Sequence, residues 1–236
     1  MNPARSVAFD VDGTLVDSER DGHRVAFNQA FDEAGLPDRW SPELYGRLLQ
    51  VTGGRRRIER YLVARGWSAP DATELAKKLH TRKNDFLTTM IHDGLISARP
   101  GVQTLLTSLE DLDTDLHVVT TGSRTWVLPL LDGLFGPGRF RFIIAGDDVS
   151  RLKPHPEAYR KLLAQTGQSS HDVVAVEDSA QGVAAATGAG LRCIVVTNDY
   201  TVDHATAGAA HVVTDFNELD VNQLLGAGKG VTGGLS

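Results

Sequence analysis

The sequence predicts an α/β fold, a doubly wound parallel sheet with an all-helical domain inserted early, and three observations carry that reading. Short β-rich apolar runs recur along the 236 residues: SVAFDV, LHVVTT, FRFIIAG, DVVAVE, LRCIVV and HVV. Most are separated by stretches long enough for a helix, an alternation that favours parallel strands covered by helices on both faces. The first interval breaks this rhythm, since about 100 residues part SVAFDV from LHVVTT, several times what one crossover helix needs.

SVAFDV is the first strand. After it, Phe27, Ala30, Phe31 and Ala34 recur at helical spacing, and Gly35 stands where such a helix would stop. SPELYGRLLQ, RRIERYLVAR and the run from Asp71 to about Ile91 continue the helical period. Residues 20–95 are therefore assigned to a helical cap, with Trp40 and Trp67 expected to pack it. Pro100 and Gly101 mark the return to the sheet domain, where VQTLLTSLEDL reads as an amphipathic helix ahead of LHVVTT. The α/β core is assigned to residues 1–19 and 96–225. Residues 226–236, GAGKGVTGGLS, are glycine-rich and short of large apolar side chains, and a flexible tail is expected there. Gly228-Lys229 resembles the end of a phosphate-binding loop. That pattern needs Gly at 223 and Ser or Thr at 230, where this chain has Gln223 and Gly230.

Composition excludes several functions. With 24 Lys and Arg against 30 Asp and Glu, the net charge of -6 repels polyanions and argues against a nucleic-acid surface. Cys193 is the only cysteine, so neither an intramolecular disulfide nor a Cys-based zinc site can form; it is expected to be an inert buried thiol. No apolar stretch reaches the length of a signal peptide core at the start or of a membrane span elsewhere. A cytoplasmic protein without membrane partners, and a monomer, is expected.

The chemistry is concentrated at strand ends, where open parallel sheets bind their ligands. In FDVDGTLVDSE, Asp10 ends the first strand, and Gly13 lets the chain turn so that Asp10 and Asp12 face one small volume. One carboxylate can attack phosphorus while the other protonates the leaving oxygen and later deprotonates water. Taken alone, the segment also reads as an ordinary Asp-Gly turn. A calcium loop is excluded because its sixth and twelfth positions would be Leu15 and Asp21. Three further strand ends carry complementary groups. VVTTGS offers Thr121, Gly122 and Ser123 to phosphoryl oxygens. RLKPHPEAY presents the cation Lys153, and VAVEDSAQG ends in Glu177 and Asp178, hard oxygen ligands suited to magnesium.

This ordered set resembles the haloacid dehalogenase superfamily, whose Rossmann-like core carries an inserted cap: DxDGTLVDS first, hhhTT with Thr121 second, Lys153 in KPHPxxY third, ED fourth. The resemblance implies that Asp10 forms an aspartyl-phosphate and that Asp12 is the general acid/base, with its backbone carbonyl on Mg2+. It also implies that Glu177 and Asp178 join Asp10 and Asp12 in the metal site, while Thr121 and Lys153 hold the transferring phosphoryl group. The second aspartate argues for phosphate chemistry over dehalogenation.

DSERDGHRVAFNQAF, ELYGRLLQVTGG and LISARPGV resemble the CbbY-type branch, xylulose-1,5-bisphosphate phosphatases that remove misfire products of Rubisco. That resemblance implies a sugar bisphosphate substrate contacted by Glu19, Tyr45, Thr52, Gly53 and Gly54. Arg55 stands where the branch has lysine, and a second phosphate gives it a task; Arg124 is a further candidate, and Arg57 reads as part of a solvated basic face. His23, His80 and Lys83 have no assigned role. His155 is expected to shape its loop. A β-phosphoglucomutase-like mutase and a phosphoglycolate or sugar-monophosphate phosphatase are the alternatives within the fold; a non-catalytic sugar-phosphate sensor is the alternative outside enzymes.

Overall fold

A computed structural model describes residues 4–202 and 206–226. The six apolar runs form the six strands β1 (Ser6–Phe9), β2 (Asp115–Val119), β3 (Phe142–Ile144), β4 (Val173–Glu177), β5 (Arg192–Val196) and β6 (His211–Val213). They make one sheet in the order β3-β2-β1-β4-β5-β6, with every neighbouring pair parallel. The order reverses beside β1, so Asp10 emerges at the crevice where a doubly wound sheet binds its ligand.

The strand period of two builds a core on each face of the sheet. Val7, Phe9, Val174, Val176, Ile194 and Val196 pack to one side. Ala8, Val173, Ala175, Cys193 and Val195 pack to the other, and burial pushes the Cys193 thiol up, consistent with an inert side chain. Helices α5 (Val102–Glu110), α6 (Arg124–Phe135), α7 (Glu157–Thr166), α8 (Ala180–Gly188) and α9 (Val221–Leu225) cover the sheet. Serines begin the two helices nearest the strand ends: Ser123 accepts from the Thr125 N–H at α6 and Ser179 from the Gly182 N–H at α8.

The long first interval is helical. A π-helical turn, Glu19–His23, leads into α1 (Arg24–Glu33), followed by α2 (Pro42–Leu48), α3 (Gly54–Ala64) and α4 (Ala69–His92). Ser41 and Ser68 cap α2 and α4, each with a proline in the first helical turn. These helices bury their own apolar cluster around Trp40, whose ring centroid lies 4.8 Å from Phe27 and 4.9 Å from Phe31. Trp67 does not pack as expected. It sits between α3 and α4 with 40% of its surface exposed, because the turn carries it off the apolar stripes of both helices. No described helix is long and apolar enough to cross a membrane. The expected tail lies outside the described residues after Gly226, which closes α9 in the left-handed region.

One buried group works against the fold. His117 in β2 is completely buried, neither ring nitrogen has a partner, and burial pushes its pKa down to about 4. Burial disfavours protonation in the folded chain alone, so this cost is absent above the unfolded value of about 6.5 and grows as pH falls toward the folded one. His117→Leu should therefore stabilise the protein by roughly 1–3 kcal/mol and flatten its acid-side loss of melting temperature. Parallel melting curves for parent and variant between about pH 4 and 7 would contradict this.

Candidate active site

The ends of β1, β2 and β4 and the loop after β3 bring the four motifs together. Lys153 is buried to 4% exposure, and its ammonium spends all three protons: on Asp10 Oδ1 at 2.7 Å, on Glu177 Oε1 at 2.6 Å and on the Val119 carbonyl at 2.8 Å. Glu177 and Asp178 are buried as well, so neither the cation nor the acidic pair is solvated. Tyr159 on α7 also donates to Glu177 Oε1, while Oε2 lies against Gly182, where a Cβ would stand only 1.9 Å away. Gly13 is required on two counts. Its φ is +79°, and a Cβ there would lie 2.4 Å from Asp178 Oδ2.

Oxygens of Asp10, Glu177 and Asp178 lie within 4.8 Å of one another, all three residues buried. Buried carboxylates so close disfavour each other's charge. Burial first, then the neighbouring Glu177, pushes Asp178 up to about 7. Burial raises Asp10 well above the carboxylate range, with Lys153 opposing and the other acids adding. Lys153 goes the other way: burial lowers it, but Asp10 and Glu177 raise it further, so it stays charged. A single lysine does not balance this cluster. A hard divalent cation fits both its oxygen donors and its excess charge.

Asp12 is held separately. It accepts from Ser18 and from His23 Nε2 at 2.8 Å, and Lys83 on α4 meets the other ring nitrogen of His23. With Asp12 accepting, His23 carries its proton on Nε2 and accepts a hydrogen bond from Lys83 at Nδ1. Burial would raise Asp12, yet the hydrogen bonds of His23 and Ser18, with the charge of Lys83, hold it below its ordinary value. Burial pushes Lys83 itself down to about 8. His23 and Lys83, left without a role by sequence, are therefore the direct and indirect partners of Asp12.

The helical insertion closes over this cluster. A small space of about 90 Å³ is lined by Asp10, Asp12, Glu19, Arg57, Asp178 and Tyr200, among others. It adjoins a cavity of about 1160 Å³ whose walls include Thr52, Gly53, Gly54, Arg55, Thr121 and Ser123. Arg57 corrects the sequence reading. It is 8% exposed, donates to the Leu48 carbonyl and the Tyr45 hydroxyl, and faces the small space instead of solvent. Tyr45 also differs from expectation, because it is fully buried behind the site, its hydroxyl donating to Glu19 and accepting from Arg57. It positions those two without lining either space.

The loop after β2 also differs in part. Thr121 borders both spaces. The Gly122 N–H is already donated to Thr120 Oγ1 at 3.0 Å, and Ser123 Oγ to Asp147 at 2.8 Å. Arg124 turns away, its guanidinium paired with Asp148 and the Ile143 carbonyl, so it is spent on holding the β3 end. His80 lies under the Gly54 backbone, and burial, then Lys83 and Arg55, pushes it down to about 4. His155 Nδ1 accepts from the Glu157 N–H and shapes its loop as expected. Sequence reasoning missed Gln181, which lines both spaces, and Asn198 and Tyr200 after β5. Extending the strand-end rule to the fifth strand would have found the last two.

This arrangement of buried carboxylates around one cation on a doubly wound sheet suits phosphoryl transfer, and comparison identifies the class as a hydrolase. The match to the haloacid dehalogenase-like hydrolases spans residues 7–196, and the chain belongs to that family. Within it, the chain is a phosphatase of the CbbY-type branch. It is 39% identical to the protein CbbY of Cereibacter sphaeroides over 91% of this chain and 93% of that one. A CBBY-like protein of Arabidopsis thaliana is 37% identical over 84% of this chain, which spans 65% of that longer protein. The crystal structure of a mutant CbbY from Rhodobacter sphaeroides in complex with xylulose 1,5-bisphosphate superposes with a TM-score of 0.81 at 35% identity, covering 92% of this chain and 96% of that one.

Proposed function

We propose that this phosphatase is magnesium-dependent and hydrolyses a small sugar bisphosphate, xylulose 1,5-bisphosphate first among candidates. The observation that carries this reading is the two-ended shape of the site. Asp10, Lys153 and Thr121 stand at one end, and Arg55, Arg56 and Arg60 line the wall of the adjoining cavity, far larger than one phosphate requires. The bisphosphate bound by the Rhodobacter relative supports the same assignment.

Asp10 attacks phosphorus and its carboxylate becomes an acyl phosphate, while the P–O bond to the sugar breaks. Asp12 hands its proton to the leaving sugar oxygen and takes one from the water that later cleaves the acyl phosphate. Its hydrogen bonds to His23 and Ser18 favour the carboxylate, the form needed for that second step. Lys153 and Thr121 hold the transferring oxygens. Glu19 and the Thr52-Gly53-Gly54 loop meet the sugar, and Arg55 meets the second phosphate as a bidentate donor. Asp10, Glu177, Asp178 and the Asp12 carbonyl would hold Mg2+, which when bound neutralises the carboxylate cluster and the phosphate charge.

Phosphate release should require magnesium and be fastest with xylulose 1,5-bisphosphate, ahead of ribulose 1,5-bisphosphate, phosphoglycolate and β-glucose 1-phosphate. Turnover of phosphoglycolate with the bisphosphate inert would overturn the substrate. Conversion of β-glucose 1-phosphate to the 6-phosphate without phosphate release would make the protein a mutase.

A further inference from the structure

The turn that follows β5 carries no residue of the four motifs, yet it touches both the acidic cluster and the helical insertion. Asn198 uses every polar atom of its side chain. Nδ2 donates to Asp178 Oδ2 at 2.8 Å and to the Gly13 carbonyl at 3.1 Å, and Oδ1 accepts the Tyr200 N–H at 2.9 Å. Its own N–H is donated to Thr201 Oγ1 at 3.0 Å, which closes the turn on itself. The segment is anchored from below by Arg99, whose guanidinium donates to the Gly13 carbonyl at 2.6 Å and the Thr197 carbonyl at 2.7 Å. Asn198 is thus rigid before it meets Asp178.

Above the turn, Tyr200 is the only member of the apolar cluster around Trp40 that comes from outside the helical insertion, among the described residues. Its ring meets Tyr45 edge-on at 6.0 Å and lies so near α2 that a Cβ at Gly46 would come within 2.9 Å of it. Docking of the insertion therefore bears on the turn that holds Asp178.

We infer that Asn198 is a positioning residue for the cation site. Its amide fixes the rotation of the Asp178 carboxylate, tying Oδ2 and leaving the other oxygen for the ion. A carboxylate ligand held by an outer hydrogen-bond donor binds its metal more tightly, because the ligand needs no reorientation; loss of such a donor typically weakens binding about 10–100-fold. The role rests on the magnesium reading proposed above, and a metal-affinity measurement keeps the two apart.

Magnesium titrated calorimetrically into the metal-free full chain, without substrate, should bind Asn198→Ala at least about tenfold more weakly than the parent. The variant's melting temperature in chelator should stay close to the parent's, and the turnover it loses at low magnesium should return at saturating magnesium. Asn198→Ser serves if the alanine variant does not fold, since serine keeps an oxygen for the Tyr200 N–H but cannot span to Asp178. Unchanged magnesium affinity in a folded variant overturns the inference and leaves the phosphatase reading standing. No magnesium binding by the parent overturns both.

Discussion

Asp10→Asn should lower phosphate release by about 10⁴-fold or more, in line with the loss of a covalent nucleophile elsewhere, while leaving the protein folded and no less stable than the parent. The amide is isosteric and can still accept the Lys153 proton that Asp10 now takes at 2.7 Å, so the site keeps its shape. What it loses is the anion that attacks phosphorus. The stability half of the expectation follows from linkage. Burial, and then the neighbouring acids against the pull of Lys153, raise Asp10 well above its unfolded value. A carboxyl raised in this way contributes stability below the unfolded pKa and loses it as pH climbs through the folded one. At neutral pH without metal the charged group is therefore a burden that asparagine does not carry, an exchange of stability for reactivity common at active sites. Phosphate release at parental rates by folded Asp10→Asn would sink the covalent mechanism; a sharp fall in melting temperature would sink the electrostatic account of the site.

The parts of the fold legible in the sequence were those with a local period. Alternation along VAVE and RCIVV and helical spacing along α1 and α4 belong to short windows, so the six strands and the helical insertion could be read directly. The strand-end aspartates were legible for the same reason, since Asp10 and Gly13 state their geometry within four residues. Residues whose role comes from long-range contacts were not. In the run Arg55-Arg56-Arg57 charge is uniform, and only the burial of Ile58 and Leu62 on the same side of α3 shows which arginine turns inward. That stripe was visible, but Arg57, beside two other cations, read as part of a solvated face. His23 reaches Asp12 through a π-helical turn that no periodic pattern announces, and its partner Lys83 is 60 residues further along. Tyr45 was assigned to the substrate from resemblance, whereas the structure sets it one layer back, where it aims Glu19 and Arg57.

Lys153→Met should do the opposite of Asp10→Asn to stability while also removing activity. The methionine fills a similar volume but leaves Asp10, Glu177 and the Val119 carbonyl without the ammonium that all three now share. Breaking a buried ion pair from one side typically destabilises by about 3–5 kcal/mol, because the remaining charge has no water to return to. Asp10 answers by holding its proton more tightly. The folded pKa of Asp10, already raised by burial, loses the opposing pull of Lys153 and rises further above the unfolded one, so the stability of the variant falls as pH increases, and the gap from the parent should be wider at pH 8 than at about pH 5. Turnover should fall by at least about 10²-fold, as when one preorganised charge at a developing anion is removed. Lys153→Arg should not restore it, since a planar fork cannot reach two carboxylates and a carbonyl arranged around one nitrogen. Melting temperatures of the parent and both variants across that pH range, in chelator, test the first claim. A methionine variant as stable as the parent at pH 8 would show that the acidic cluster does not depend on Lys153, and would leave the opposed responses at positions 10 and 153 without a common electrostatic cause.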